Sequence, residues 1–298
     1  MSATQQSRET TRADGSTQVV MLGTGTPRPD PNCAGPATVV VANNTAYLID
    51  FGPGVIRRAS AAYENGVKAL GYGGVNIKTA FLTHMHSDHT IGYPDLILTP
   101  WVMGRSDPLT IYSPKGIKAM TENILKAWQI DIDVRSNSLH GNSAACNVFS
   151  HEIVPGLIYT DANVTVTAFP ARHEDMVDSF GFRFETPHRT IVISGDTIPT
   201  QALIDHSRGC DILIHEAYSM ASFREVPSHW QKYRQRAHTS SFELAEIANT
   251  VKPELLVIYQ RSNAGGTPGK VDIEDVLIEE VRQVYKGTVV AAHDLDIF

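Results

Sequence analysis

The sequence predicts a mixed α/β fold in which two mixed β-sheets pack together with helices on their outer faces. Three observations predict it. Strand-like runs dominate the first two-thirds of the chain, and strand–helix alternation fills the rest. No repeat at a fixed period, low-complexity block or linker divides the 298 residues. Residues 17–298 therefore read as one domain, long enough to bury a sizeable core, preceded by a polar tail over 1–16 expected to be disordered.

The elements follow in order. An apolar run over 18–22 reads as a strand and ends at Gly23-Thr24-Gly25-Thr26-Pro27. Those glycines have neither the Walker spacing nor G-x-G-x-x-G, so a tight turn beneath the active site is expected. Residues 37–41 and 46–50 form a hairpin about Asn43-Asn44. Pro53 opens a helix running to about residue 65, residues 80–82 read as a buried strand, and 92–98 as a helix. A strand at 109–112 precedes a helix over 114–129, whose Ile117, Met120, Ile124 and Trp128 mark a core face. The polar segment 135–146 reads as a loop, and strands follow at 147–154, 164–169, 181–184 and 190–193. Helices at 199–206, 240–249 and 273–285 alternate with strands at 211–214, 255–259 and 289–298. Gly265, Gly266 and Gly269 mark a flexible loop between two of these.

Bulk properties narrow the function. The chain is 42% hydrophobic and 19% charged, ordinary for a soluble globular protein, with a formal charge of −7. The acidic balance and the lack of a Lys/Arg run disfavour a nucleic-acid partner. Three scattered cysteines without a C-x-x-C pair fit a reducing compartment and argue against a thiolate metal site. No run is long enough to span a membrane, and the N-terminus lacks a secretory segment, so a cytoplasmic location is expected. A signal already removed would instead send the chain to the periplasm or outside.

The chemistry begins at His84-Met85-His86-Ser87-Asp88-His89, an H-x-H-x-D-H run between a strand and a helix. A strand end opening into a tight loop aims alternate side chains at one point. His84 and His86 can share one metal, and Asp88 and His89, past the bend, can face a second. Imidazole with carboxylate suits zinc, or manganese or iron. His173 and Asp196 stand at further strand exits, the first suited to complete a three-histidine set and the second to bridge two ions. His215-Glu216 ends another strand and can orient a ligand or catalytic group. Ala237-His238-Thr239-Ser240 precedes a helix that Ser240 can cap.

This order of motifs resembles the ribonuclease Z and arylsulfatase-like branch of the metallo-β-lactamase-fold hydrolases, over nearly the whole chain from Val19. The resemblance implies a four-layer αββα sandwich with the site at one edge of the sheets. It implies a first metal on His84, His86 and His173, a second on Asp88 and His89, and Asp196 bridging both. It also implies that His238 contacts the scissile group or the leaving oxygen. Relatives generally carry a histidine where this chain has Gln260, and His293, in the next stretch of β structure, is expected to take over that contact. Asp50 is expected to position the His loop through hydrogen bonds.

The expectation is a dinuclear zinc hydrolase in which a metal-bridging hydroxide attacks an ester, with Asp88 orienting the nucleophile or relaying its proton and His238 as catalytic donor. The tRNA-processing relatives carry a long basic arm, whereas His173 and Asp196 here are only 23 positions apart. That favours a small-molecule sulfate, phosphate, lactone or carboxylic ester; Trp101, Met103 and Tyr218 are candidates to line an apolar pocket, although core packing is the more ordinary role for each. A tRNA 3′-processing endoribonuclease and an iron-dependent redox member of the fold are the alternatives, although the di-iron relatives usually show H-x-E-x-D-H. A homodimer is among the assemblies the resemblance allows.

Overall fold

The computed structural model describes residues 17–138, 143–261 and 273–298; the expected tail over 1–16 and the three loop glycines lie outside them. The first sheet runs β1 (Gln18–Gly23), β2 (Ala37–Ala42), β3 (Thr45–Ile49), β4 (Thr79–Phe81), β5 (Leu109–Ser113) and β6 (Val148–Glu152), in that spatial order. The second contains β7 (Gly156–Thr160), β8 (Thr165–Pro170), β9 (Phe180–Glu185), β10 (Thr190–Ile193), β11 (Ile212–Ala217), β12 (Leu255–Arg261) and β13 (Val289–Ala291), ordered β13-β12-β11-β10-β9-β8-β7. Both are mixed. β3 through β6 pair in parallel, as do β10 through β13, while β1-β2-β3 and β7-β8-β9-β10 are antiparallel.

Alternation along the strands makes three cores, hence four layers. One face of β4 sends Phe81 between the sheets, where its ring meets Tyr112 at 5.4 Å, Phe182 at 5.8 Å and Phe184 at 5.3 Å. The other face sends Ala80 and Leu82 to the helices Val55–Glu64 and Tyr93–Val102. On the far side, Val192, Leu213 and Leu256 pack under Ser241–Val251 and Ile273–Val284. Ser240 does cap the first of these, accepting from the Glu243 amide in a capping box.

The structure departs from the expected elements in several places, among them a short helix at Met220–Glu225 and a last strand confined to Val289–Ala291. A separate helix, Gln129–Ser138, follows the expected 114–129 helix and takes in the first part of the expected 135–146 loop; it exposes Ile130 and Val134 and carries the i,i+4 pair Asp131–Arg135 at 2.9 Å. A further strand, β7, occupies the stretch between 154 and 164. The helix Ser228–Ala237 precedes His238 in a segment for which the sequence predicts no element.

Topology sets the position of the site. β8 and β10 are both antiparallel to β9 and so point the same way, as do β11 and β12, parallel to β10. Their carboxyl ends share an edge with the end of β4, where open α/β sheets bind ligands.

Candidate metal centre

Three residues past β4, β8 and β10 lie His84, His173 and Asp196, and all three are buried. Gly195 permits the last of these. Its φ is +61°, and a Cβ there would stand 2.8 Å from the Phe180 carbonyl, so Ser194-Gly195-Asp196 turns where another residue would be strained. After β4 the chain passes His86 and bends through a single helical turn, Ser87–Thr90, bringing Asp88 and His89 inward.

Hydrogen bonds fix the ring orientations. Thr83 Oγ1 donates to the Asp50 carboxylate at 3.0 Å and accepts from His84 Nδ1 at 3.0 Å, leaving His84 Nε2 with its lone pair. His173 Nδ1 donates to the Ala237 carbonyl at 2.7 Å, leaving its Nε2 likewise. His89 Nδ1 donates to Asp50 Oδ2 at 2.9 Å. Asp50 thus positions the His loop from beneath, as expected, and also accepts from the Thr83 amide at 2.8 Å.

The free nitrogens converge. His86 Nδ1 lies 3.1 Å from His84 Nε2 and 3.0 Å from His173 Nε2. Burial, then the neighbouring imidazoles, hold His84 well below its ordinary pKa, and burial followed by His238 pushes His173 down to about 3. One proton on His86 could satisfy only one of its two contacts. Three neutral rings aiming lone pairs at one point suit a cation; nitrogens sharing a tetrahedral zinc at its usual bond lengths stand about 3.3 Å apart.

The second group gathers around His89 Nε2. Asp88 Oδ2 is 3.6 Å away, Asp196 Oδ1 3.7 Å, and the Gln260 amide nitrogen 3.0 Å. Asp196 Oδ2 lies 3.8 Å from His173 Nε2, so its two oxygens face the two groups. Asp196 Oδ1 is buried with no hydrogen-bond partner, as a bridging ligand would be. Burial pulls His89 down, but Asp50 and Asp196 outweigh it and lift it to about 9, while burial pushes Asp196 up to about 7. A divalent ion inverts that balance by displacing the proton. Among the described residues, His84, His86 and His173 converge closely enough to hold a cation, as do His84, His89 and Asp196, and Asp88 stands beside the second group at 3.6 Å from His89.

His293 does not join them. β13 ends at Ala291, and the chain turns outward with the His293 amide donating to the Asp296 carboxylate at 2.7 Å. The imidazole is 60% exposed and pairs with Glu274 at 2.9 Å. Gln260 holds the contact that His293 was expected to take. The neighbouring Asp294 instead anchors the Gly23–Pro27 turn, accepting from Thr24 and Ala34 and pairing with Arg58 at 3.0 Å.

Beside the cluster, His238 Nδ1 lies 3.2 Å from Glu216 Oε1 and 3.9 Å from Asp196 Oδ2. Burial lowers His238, but Glu216 outweighs it and raises the ring to about 9. Glu216 Oε1 also accepts from the Thr239 and Thr197 amides. The cluster opens into a cavity of about 560 Å³ lined by Arg28, His86, Asp88, Trp230, Tyr233 and His238, among others. Trp101, Met103 and Tyr218 do not line it. Trp101 is buried in the first core, Met103 packs near Gly73, and Tyr218 stacks on Phe223. The wall comes from Ser228–Ala237, where Trp230, Tyr233, Arg234 and Ala237 recur at helical spacing just before His238; that run was the available signal.

Comparison with known proteins agrees with this geometry. Residues 45–259 match the beta-lactamase superfamily domain. The ribonuclease Z of Mycobacterium bovis (strain BCG / Pasteur 1173P2) is 32% identical over 256 residues, covering 85% of this chain and 88% of that protein. The metallo-beta-lactamase fold protein YhfI from Bacillus subtilis superposes with a TM-score of 0.69 at 18% identity, covering 95% and 98% of the two chains. Human tRNase Z, short form, gives 0.66 at 22% identity, covering 94% and 98%. These relatives overturn the expectation that nucleic acid is disfavoured, because the similarity to a ribonuclease spans most of the chain, and they back the tRNA-processing alternative better than small-molecule ester cleavage. A net charge is an average over the surface and says little about one cavity.

Proposed function

The chain belongs to the metallo-β-lactamase superfamily, as a hydrolase of its ribonuclease Z branch, and from that premise we propose that it hydrolyses a phosphodiester bond of RNA, with tRNA the favoured substrate. The observation that carries this reading is His238, held between Glu216 and Asp196 at the wall of the cavity beside the converging imidazoles.

In this reading His84, His86 and His173 would hold one divalent cation, zinc by their donor type, and Asp88, His89 and Asp196 would hold a second. Ions bound there supply the Lewis acidity that lowers the pKa of water and offsets charge gathering on the phosphoryl oxygens. The chain's own groups do the rest. Asp88, at the cavity, orients the attacking water and takes its proton. As the P–O bond breaks, the departing ribose oxygen needs a proton, and His238 supplies it from Nε2 while Nδ1 stays paired with Glu216. Tyr233 stays a phenol, since burial and Asp196 push it up to about 12, and can donate to a non-bridging oxygen. Trp230 offers a face on which an unstacked base can rest, and Arg28 a charge for the backbone.

A panel of RNA, chromogenic phosphodiester, aryl sulfate and carboxylic ester substrates tests this. Turnover of the RNA and the phosphodiester is expected. Turnover confined to sulfates or carboxylic esters would remove the reading.

A further inference from the structure

Gln260 reaches the cluster by an irregularity in its strand. Tyr259 pairs with Glu216 and Arg261 with Ala217, so Gln260 is the extra residue of a bulge in β12. Its φ is +45°, in the left-handed region that non-glycine residues adopt at a cost and that clusters at functional sites. The bulge aims the side chain inward, where it is buried. The amide nitrogen lies 3.0 Å from His89 Nε2 and 3.1 Å from Asp196 Oδ2, and the amide oxygen is buried without a hydrogen-bond partner. A half-turn about the terminal torsion exchanges nitrogen and oxygen with almost no change of shape. Whichever end faces inward, the group beside His89 is a neutral amide.

The donors are therefore divided unequally. His86 shares its position with two other imidazoles. His89 groups with Asp196 and with His84, whose Nε2 also faces His86, and has the Asp88 carboxylate and the amide beside it. Imidazole sets suit zinc, whereas carboxylate and carbonyl oxygens suit harder ions such as manganese.

We propose that the centre is chemically asymmetric: His84, His86 and His173 hold a zinc ion firmly, while Asp88, His89 and Asp196 hold an exchangeable manganese ion, with the Gln260 amide oxygen as its weak fourth donor. This rests on the reading of the cluster as a cation-binding hydrolytic centre. The strained bulge then has a purpose, since it delivers an oxygen donor where an imidazole would give a second zinc position.

The test compares the full chain with Gln260→His and Gln260→Glu by elemental analysis after dialysis from excess zinc, then by manganese titration followed by electron paramagnetic resonance. The wild type should keep one zinc per chain and take up one manganese. Gln260→His should keep two zinc ions, its second bound at least about tenfold more tightly, and take up little manganese. Gln260→Glu, which adds an anionic oxygen, should bind manganese more tightly than the wild type. Circular dichroism identifies a variant that has not folded, and the wild-type stoichiometry with the remaining variant then decides. Two zinc ions retained by the wild type, or equal manganese uptake in all three proteins, would overturn the asymmetry. A wild type retaining no zinc at all would instead refute the cation-centre reading beneath it.

Discussion

Asp50 Oδ2 sits 2.9 Å from His89 Nδ1, and the same carboxylate holds Thr83, whose hydroxyl fixes His84. One buried acid at the end of β3 thereby sets the orientation of two rings in two different donor groups. Asp50→Asn keeps the shape and loses the charge. Cation affinity at the His89 position should fall about 10–100-fold, with zinc on the three-histidine group retained. Calorimetric titration of the variant checks this; unchanged affinity at both positions would mean that Asp50 only fills space.

The leaving group's need for a proton separates two kinds of substrate. His238→Ala should lower kcat on RNA by about 10²–10⁴-fold. On a chromogenic diester whose nitrophenolate departs without a proton, the loss should be much smaller. Equal losses on both would assign His238 to holding the cluster together.

The pH profile gives the role of Glu216. Its carboxylate outweighs burial to lift His238 to about 9, keeping the ring charged at neutral pH. Glu216→Gln removes that support, so the alkaline limb of kcat should move to lower pH. Rates at pH 8 should then fall more than rates at pH 6. A profile that keeps its shape would show that Glu216 acts through packing alone.

Acid should unfold the cation-stripped protein readily. Burial lowers His84 and brings His173 to about 3, below the ordinary value of 6.5. Between those values the unfolded chain binds protons that the folded chain refuses, so stability is lost as pH falls through 6.5 towards 3. His173→Gln should flatten this dependence in denaturant melts of the stripped protein, and an unchanged slope would count against the buried neutral imidazole.

Phe81 tests the contact between the sheets. Its ring meets partners from both sheets, and Phe81→Ala should cost roughly 3–5 kcal/mol. Thermal melts read the loss as a drop of several degrees or more.

The cluster was legible because each ligand lies close to an apolar run. Residues 80–82, 166–169 and 190–193 are strands whose exits carry His84, His173 and Asp196, and spacing alone fixes which side chains emerge there. Gln260 and His293 were exchanged because their directions depend on a bulge in β12 and an outward turn after β13, neither written in local spacing. The Gln129–Ser138 helix was missed because Ile130, Ile132 and Val134 alternate with polar residues at a spacing of two rather than along a helical stripe, and Ile130 and Val134 are exposed. Nucleic acid was disfavoured because a charge of −7 averages over the surface, while the cavity is built from a few residues such as Arg28, Trp230 and Tyr233.

The most direct test is incubation of the cation-loaded protein with a tRNA carrying a 3′ extension, beside His86→Ala, whose ring joins the other two. The account predicts a discrete cleavage product from the wild type and none from the variant. An intact RNA after incubation with fully loaded wild-type protein, or cleavage undiminished in His86→Ala, would contradict it.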